Sequence, residues 1–582
     1  MKTAAEMEDH VLQSRTLLEE HWGPWQPRTT AQLLDRLAAE FPDLPYVLTD
    51  ERTYTYRELA EFSMDLAAGL HATGIRAGDH VAVDMANFVE AVALKFAVAR
   101  LGAVSVSINF MLRHQELGYV LRQSRSTVLI TMDSFRGLDY LAELDQLTTG
   151  WDDLGGGEPL PDLREVFIFP TEGGRPARGT SLDDLVRRGA DVPRSVVLDL
   201  TGAADPHAVS DLLYTSGTTG KAKGVLLTHD GVLRTAYSSA YHRALPAGFR
   251  IMYAMPLYHV FGYVEATIAV LFVRGSIVPK TTFDAAEMLN AVARHSVDEI
   301  MCVPAMTSVL LEKARADTYD LSPMTSIFSS GTPHPEGMFA AMDEVFGVER
   351  IYTAYGQTET TASTMCTLPG DGLDRLTSTN GTQKPGGCAG DEALSGSLAV
   401  YKVVDIATGA ELPAGQIGAL LVRGPIVTQG YYDKPVETAE LFTDDGWMRT
   451  GDLGRIDDDG YLSLTGRQKE SYRFGGELVI PSDVEEVLIQ HDGVLEAHVV
   501  GIPHERWGDV GCAFVVVDPA LSPDADELIA YCAARVARFK VPANVLFIDA
   551  SELPRTVTGR VQKFLLIERA VRTLTTTDSL SV

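Results

Sequence analysis

Two short apolar runs, Leu212-Leu213-Tyr214 and Val225-Leu226-Leu227, enclose Thr215-Ser216-Gly217-Thr218-Thr219-Gly220-Lys221-Ala222-Lys223-Gly224. Hydroxyls, small residues that leave backbone N–H groups accessible and two lysines form a donor set that can hold a polyphosphate. Thr215, Ser216, Gly217, Thr218, Thr219, Gly220, Lys221 and Lys223 are therefore candidate nucleotide ligands. The stretch is not a Walker A loop. That pattern needs a Gly at 215 and a Ser or Thr at 222, where this chain has Thr215 and Ala222. Composition alone also permits a surface hairpin rich in Thr and Gly.

Further along, Tyr355-Gly356-Gln357-Thr358-Glu359 follows an apolar run expected to be a strand. Ligands of open α/β sheets bind at the carboxyl ends of strands. Glu359 supplies a hard oxygen for the Mg²⁺ that accompanies ATP, with the Thr215 hydroxyl as a second oxygen. Tyr355 offers a flat face to adenine and Thr358 a donor to phosphate. Thr450-Gly451-Asp452 and Gly466-Arg467 add a carboxylate able to accept from ribose hydroxyls and a guanidinium for ribose and α-phosphate. Taken singly, YGQTE also reads as an exposed turn and TGD as a strand end.

As an ordered set, these stretches resemble the adenylate-forming superfamily, which includes acyl- and aryl-CoA ligases, firefly luciferase and the adenylation domains of peptide synthetases. The resemblance covers roughly residues 30–570. TSGTTGKAKG is similar to the family's phosphate signature and YGQTE to its second nucleotide motif. It implies an adenine-facing loop at Ser330-Gly331-Thr332-Pro333, where this chain reads SSGTPHP and not the commoner GGAPL type. Asp452 and Arg467 take the ribose and phosphate roles. Lys469 falls at the hinge on which the small C-terminal domain swings between two poses. Gly475 and Gly476 fall where relatives line a pantetheine tunnel. The segment Pro256-Leu257-Tyr258-His259-Val260-Phe261-Gly262 resembles the one that gates the acyl pocket, with Gly262, Tyr263, Ser330 and Gly331 as further lining. An isolated His259 reads equally as a satisfied core histidine.

One position departs from the family. Leu553 to Lys563 resembles the C-terminal motif in which a Gly precedes the catalytic lysine, yet Gly559 is followed by Arg560. A planar fork replaces a compact point charge. At a transition-state contact that exchange costs about 2–4 kcal/mol, on the order of 10²-fold in rate. Lys563 lies too far along the chain to substitute without rearrangement. Lys469, Arg560, Thr358 and Glu359 are the expected catalytic group.

The elements that must position these residues follow from periodicity. Tyr56–Gly74 has helical spacing and ends in Gly; Asp79–Asp84 reads as a strand, Val89–Leu101 as a helix and Ala103–Ile108 as a strand. Strands alternating with helices imply a parallel α/β sheet. Residues 1–30 are expected to wrap the surface, and 134–200 to form a partly irregular insertion around the strand Val166–Phe169. After the loop come strands near Ile251–Met255, Ser276–Val278, Glu299–Val303, Ser326–Ser329 and Arg350–Ala354, with helices near Tyr263–Val273 and Ala285–His295. Past Ser397 the pattern turns β-rich, and from Ser471 it becomes a small α+β unit. The expected fold is α/β: a large N-terminal domain (1–467) of mixed, largely parallel sheets with helices and a β-rich subdomain, then a small mobile α+β domain (468–582). The last twelve residues are expected to fray.

Composition limits the partners. With 582 residues and 45 % apolar content the chain buries large cores, and a formal charge of −30 argues against nucleic-acid or acidic-membrane binding. Affinity for ATP must therefore come from local donors. Five cysteines without CxxC spacing fit free thiols in a reducing cytoplasm. The polar MKTAAEMEDH start is no secretory signal, and Val89–Ile108 is broken by Lys95 and Arg100, so no membrane span is expected. No GxSxG elbow, HExxH or strand-borne GxGxxG supports a hydrolase, zinc protease or dehydrogenase.

The expectation is ATP- and Mg²⁺-dependent activation of a medium-chain or aromatic acid to an acyl-adenylate, followed by transfer to CoA. Rival acceptors are a carrier-protein pantetheine, an amine or nitrite-type chemistry. A third reading, suggested by Arg560 alone, is an impaired nucleotide- or acyl-binding homologue. Oligomeric state, homodimer included, stays open.

Overall fold

Strands whose neighbours in sequence are helices can pair in parallel only through crossovers, and the first half of the chain does this twice. The computed structural model describes residues 4–215, 221–332, 334–335, 337–474, 477–504, 507–555, 559 and 561–575. Within these, one seven-stranded sheet has the order Arg350–Tyr352, Ser326–Ser329, Glu299–Cys302, Arg250–Tyr253, Ser276–Pro279, Pro45–Leu48, Thr53–Thr55. The other runs Lys223–Thr228, Val209–Thr215, Val104–Ser107, His80–Asp84, Val128–Met132, Glu165–Phe169, Thr180–Ser181. Each is parallel except for one edge pair, Pro45–Leu48 with Thr53–Thr55 and the hairpin Val209–Thr215 with Lys223–Thr228. The carboxyl ends of Val209–Thr215, Val104–Ser107 and His80–Asp84 therefore lie along the same sheet edge, where α/β ligands bind.

The period-two burial of strands decides the layers. Val81 and Val83 join the largest apolar cluster together with Ile251, Tyr253 and Ile277 of the other sheet. Ala82 faces the opposite way, with Leu117, Val120 and Trp151, and Met252 and Val278 pack on Met288 and Leu310. The helices Tyr56–Ala72, Val89–Arg100 and His229–His242 contribute to the shared central cluster. Every residue of Val89–Arg100 except Glu90 is buried, as befits a helix apolar on all sides. Its two cations are satisfied internally: Lys95 bonds Asp211 and Ser107 at 2.6 Å each, and Arg100 forks onto Asp35 at 2.8 and 2.6 Å.

Several expectations need revision. Residues 4–22 do not merely wrap the surface but form the helix Ala4–Trp22, with Leu18 and Trp22 buried and the Trp22 indole donating to the Phe272 carbonyl at 2.8 Å. The 134–200 segment is regular for much of its length. Tyr140–Leu147, Leu182–Arg188 and Arg194–Ala203 are helices, and Glu165–Phe169 is a full member of the parallel sheet. The helix expected near Tyr263–Val273 winds as a π-helix, Phe261–Ile268, and then as a 3₁₀ turn, Ala269–Val273. The YGQTE stretch is only partly a loop. Ala354–Gln357 is a strand antiparallel to Ala362–Cys366, and Thr358–Thr360 is a 3₁₀ turn. Of the last twelve residues, expected to fray, Val571–Thr575 continue the helix Lys563–Thr575, with Leu574 buried, and 576–582 lie outside the described residues.

The chain divides into two compact units, Met1–Val400 with Arg423–Gly446, and Tyr401–Val422 with Trp447–Val582. The strands Val400–Val404, Gly418–Arg423, Met448–Ile456 and Leu462–Arg467 form one sheet that belongs to the second unit except for the end residues Val400 and Arg423. The second unit also holds a five-stranded sheet in which Asn544–Phe547 pairs in parallel with Gly508–Val517, packed with the helices Pro481–Ile489, Ala525–Ala533 and Lys563–Thr575. Position 467/468 falls inside this second unit. No described helix is long and apolar enough to cross a membrane, and all five cysteines are unpaired.

Candidate active site

The hairpin fixes the ends of the phosphate-loop stretch. Thr215 lies opposite Lys223, and Tyr214 opposite Gly224. Ser216, Gly217, Thr218, Thr219 and Gly220 lie outside the described residues. A segment far away in sequence, Thr428–Tyr432, pairs with the returning strand: Leu226 donates to the Gly430 carbonyl at 3.1 Å and Tyr432 to that of Gly224 at 2.8 Å. Gly430 is required there, with φ 127° and the place of a Cβ only 2.4 Å from Thr438 Cγ2. This docking places Tyr431 between Lys223 and Glu359. The Lys223 ammonium sits 4.8 Å from its ring centroid, within cation–π range, and its hydroxyl donates to Glu359 Oε1 at 2.8 Å. Burial and the Glu359 carboxylate both push the Tyr431 phenol up, so it stays a donor at neutral pH. Lys221 lies 5.7 Å from the Tyr119 ring, whose hydroxyl holds the Ala222 carbonyl at 2.9 Å.

The second nucleotide stretch is anchored to the same segment. The Glu359 carbonyl accepts from the Thr428 amide at 2.7 Å. Gly356 admits no side chain, since a Cβ would come within 2.0 Å of the Ala362 carbonyl oxygen. Thr361, next to the turn, holds φ 63°, a left-handed value that costs a β-branched residue about 1–3 kcal/mol; its hydroxyl is tied to the Ile426 carbonyl at 2.6 Å. Tyr355 is buried, with its hydroxyl 3.4 Å from the Gln357 amide, while Gln357, Thr358 and Glu359 are half-buried. The loop Ser330-Gly331-Thr332 reaches this strand through Ser330, whose hydroxyl donates to the Ala354 carbonyl at 2.7 Å and accepts from its amide at 3.2 Å. Gly331 takes φ 106°, Thr332 is half-buried and Pro333 lies outside the described residues.

The PLYHVFG segment is clasped by Asn87. Its amide donates to the carbonyls of Met255 at 3.0 Å and Lys280 at 3.1 Å, and its carbonyl accepts from the Leu257 amide at 3.0 Å. His259 is half-buried beside Tyr258, with ring centroids 4.6 Å apart, and burial lowers its pKa to about 4, so the imidazole is neutral at physiological pH. Gly262 is needed because a Cβ would meet the Met255 carbonyl at 2.7 Å. Tyr263, expected in the acyl pocket, points into the core. It is 2 % exposed, lies under Lys95 at 4.1 Å and reaches Asp211 at 3.3 Å.

In the second unit Asp452 and Arg467 face each other across antiparallel strands, with Arg467 Nε 2.7 Å from Asp452 Oδ1. The carboxylate is 4 % exposed, and its amide is held by the Thr450 hydroxyl at 3.1 Å. Lys469 follows in a turn closed by the Glu470 and Ser471 amides, each 3.1 Å from the Arg467 carbonyl. Lys563 is committed elsewhere, 2.7 Å from Glu485 and 3.5 Å from Glu470. Gly475, Gly476 and Arg560 lie outside the described residues.

The family model of the AMP-binding enzymes matches residues 34–432, and that of the AMP-binding enzyme C-terminal domain matches 483–560. The chain belongs to the AMP-binding enzyme family. As an AMP-binding enzyme it is 33 % identical over 549 residues to the putative acyl-CoA synthetase YngI of Bacillus subtilis (strain 168), covering 93 % of this chain and 97 % of that one. It is 30 % identical over 560 residues to the mitochondrial medium-chain acyl-CoA ligase ACSF2 of Danio rerio, covering 95 % and 90 %. Among solved structures it is similar to the anthranilate CoA ligase AuaEII in complex with anthranoyl-AMP, with a TM-score of 0.77, 25 % identity and coverage of 94 % and 98 %.

Tyr431 is the residue that sequence reasoning missed. Its only signal is a Gly-Tyr-Tyr stretch, and its position depends on a pairing across two hundred residues that no local pattern encodes.

Proposed function

We propose that this AMP-forming acid–thiol ligase activates a medium-chain or aromatic carboxylic acid with ATP, releases pyrophosphate and passes the acyl group from the adenylate to the CoA thiol. The observation that carries the reading is the line Lys223–Tyr431–Glu359, which couples the phosphate hairpin to the carboxylate of the second nucleotide stretch. Glu359 suits Mg²⁺: Tyr431 engages Oε1, Oε2 has no partner among the described residues, and Mg²⁺ takes one or two carboxylates beside substrate phosphates. When bound, the ion supplies charge neutralisation at the pyrophosphate leaving group.

The chain's own residues position and stabilise, which suffices for attack of a carboxylate on the α-phosphorus. Lys221 and Lys223, with the hydroxyls and amides of residues 215–220, hold the leaving phosphates. Thr358 donates to the α-phosphate, Tyr355 and the Ser330–Thr332 loop flank adenine, and Asp452 and Arg467 take the ribose. Arg560 is the cation of the transition state; the commitment of Lys563 to Glu485 and Glu470 supports that assignment. Lys469 is the pivot before the thioester step, and Gly475 and Gly476 admit pantetheine. CoA is preferred to a carrier protein because relatives matched over 97 % and 90 % of their length are named as an acyl-CoA synthetase and an acyl-CoA ligase. The unpaired thiols support a cytoplasmic setting.

The test is pyrophosphate release from ATP and Mg²⁺ with a panel of aliphatic and aromatic acids, beside Arg560→Ala and Arg560→Lys. Release that depends on one acid, lost on the order of 10²-fold in Arg560→Ala, supports the assignment. Acid-independent release, or full activity without the guanidinium, overturns it.

A further inference from the structure

One enclosed carboxylate stands outside the nucleotide chemistry described above. Glu265 lies in the π-helix Phe261–Ile268, which begins within the acyl segment at Phe261 and Gly262, and it is 0 % exposed. Its Oε1 accepts from the Ser363 amide at 2.9 Å, from the Ser363 hydroxyl, and from the Lys384 ammonium at 3.0 Å, while Oε2 takes the Ser239 hydroxyl. Lys384, also buried, donates to the Ser363 hydroxyl at 2.9 Å. The Glu265 carbonyl is held as well, by Arg243 Nη2 at 2.8 Å. π-helical turns occur mostly as single insertions at functional sites.

Ser363, the residue this carboxylate holds, faces the second nucleotide stretch. In the antiparallel pair of Ala354–Gln357 with Ala362–Cys366 it is the partner of Gly356, and the register shifts just there, between Tyr355 and Gly356. Gly356 sits so close that a Cβ on it would come within 2.5 Å of Ser363 Cα. Glu265 thus grips the backbone against which the YGQTE stretch rests. A fully buried ion pair is a poor source of stability, because taking both charges out of water offsets their attraction and an apolar pair of like volume does as well or better. Stability alone therefore does not call for Glu265 and Lys384. What an apolar pair could not do is fix the Ser363 amide and hydroxyl in one place.

We propose that Glu265 is a positioning residue that locks the helix of the acyl segment to the strand paired with YGQTE, so that acid and nucleotide are held in one frame for attack on the α-phosphorus. The inference rests on the ligase reading and adds to it the link through which nucleotide binding tightens acid binding. Such a frame matters because a small misplacement of either reactant slows the step steeply.

The experiment compares wild type with two double variants that both lack the buried charges, Glu265→Gln with Lys384→Met and Glu265→Leu with Lys384→Met. The first keeps an oxygen for the Ser363 amide, and the second does not. Calorimetry measures acid binding with and without α,β-methylene-ATP and Mg²⁺, and kcat and KM come from pyrophosphate release. Wild type should bind the acid on the order of 5-fold or more tighter when the analogue is present. The Gln variant should keep that gain and a kcat within about threefold, whereas the Leu variant should lose the gain and on the order of 10-fold or more in kcat. A Leu variant that matches the Gln variant in both, or a wild type in which the analogue leaves acid affinity unchanged, overturns the inference. Ser363→Ala removes only a hydroxyl and should lower both the gain and kcat roughly 3-fold, so the outcome does not hinge on whether the Leu variant folds. If no acid releases pyrophosphate from wild type, the ligase reading fails. Affinity for the analogue alone then decides whether Glu265 holds the nucleotide stretch: weaker in the Leu variant than in the Gln variant supports it, and equal affinity overturns it.

Discussion

The Tyr431 hydroxyl ties the Glu359 carboxylate to the ring that lies beside Lys223. Removing it in Tyr431→Phe deletes a charge-assisted bond while keeping the ring under Lys223, and the expected loss is about 1.5–3 kcal/mol, on the order of 10- to 100-fold in kcat/KM for ATP. A magnesium titration of pyrophosphate release checks it: the variant should need more Mg²⁺ for half-maximal rate. Asp84 makes a second prediction. Burial raises its carboxyl to about 7, so the folded state keeps a proton that the unfolded chain has released above about pH 4. Stability therefore falls as pH rises from about 4 to about 7, and the full penalty is present above that. Asp84→Asn should raise the melting temperature at pH 8 and change it little near pH 4.5. That Asp452 and Arg467 would meet was suggested only by the ordered set of motifs, since a lone TGD also reads as a strand end; the structure pairs the two across antiparallel strands. The role of Tyr431 was not legible, since nothing in its neighbours says what it will face.

Elements with their own start and stop signals were legible. The helix Tyr56–Ala72 opens on a capping box, the Thr55 side chain bonding Glu58 and the reverse, and its pattern ends at Gly74. The short helices within 134–203 were not legible, although Asp139 and Ser181 cap two of them, because seven to ten residues present too few turns for a period to show. Phe261–Ile268 is buried from Gly262 onward, so no stripe marked its winding. At this scale Lys563 is informative: it staples the helix Lys563–Thr575 to the turn after Lys469 and to the helix Pro481–Ile489. Lys563→Met should destabilise the second unit by about 1–2 kcal/mol and leave pyrophosphate release within about threefold. Urea denaturation beside the assay checks both parts. A loss as large as that of Arg560→Ala would make Lys563 the catalytic cation instead.

For the whole molecule, two largely parallel sheets around shared helices were foreseeable from strand–helix alternation, whereas the pairing order was not, because it is set by contacts far apart in sequence. Burial lowers His229, His259 and His334 to about 4 and His242 to about 3, and lowers His21, His71 and His80 as well. The unfolded chain takes up those protons first, so stability is lost as pH falls from about 6.5 to about 4, outweighing the opposite slope of Asp84 alone. The urea midpoint should be lower at pH 5 than at pH 7.5.

The most direct measurement of the central claim is the stoichiometry of one reaction containing ATP, Mg²⁺, an accepted acid and CoA, followed by mass spectrometry and phosphate analysis. The account predicts AMP, pyrophosphate and acyl-CoA in equal amounts, none formed without the acid. ADP with inorganic phosphate, or AMP and pyrophosphate without any thioester, would contradict it.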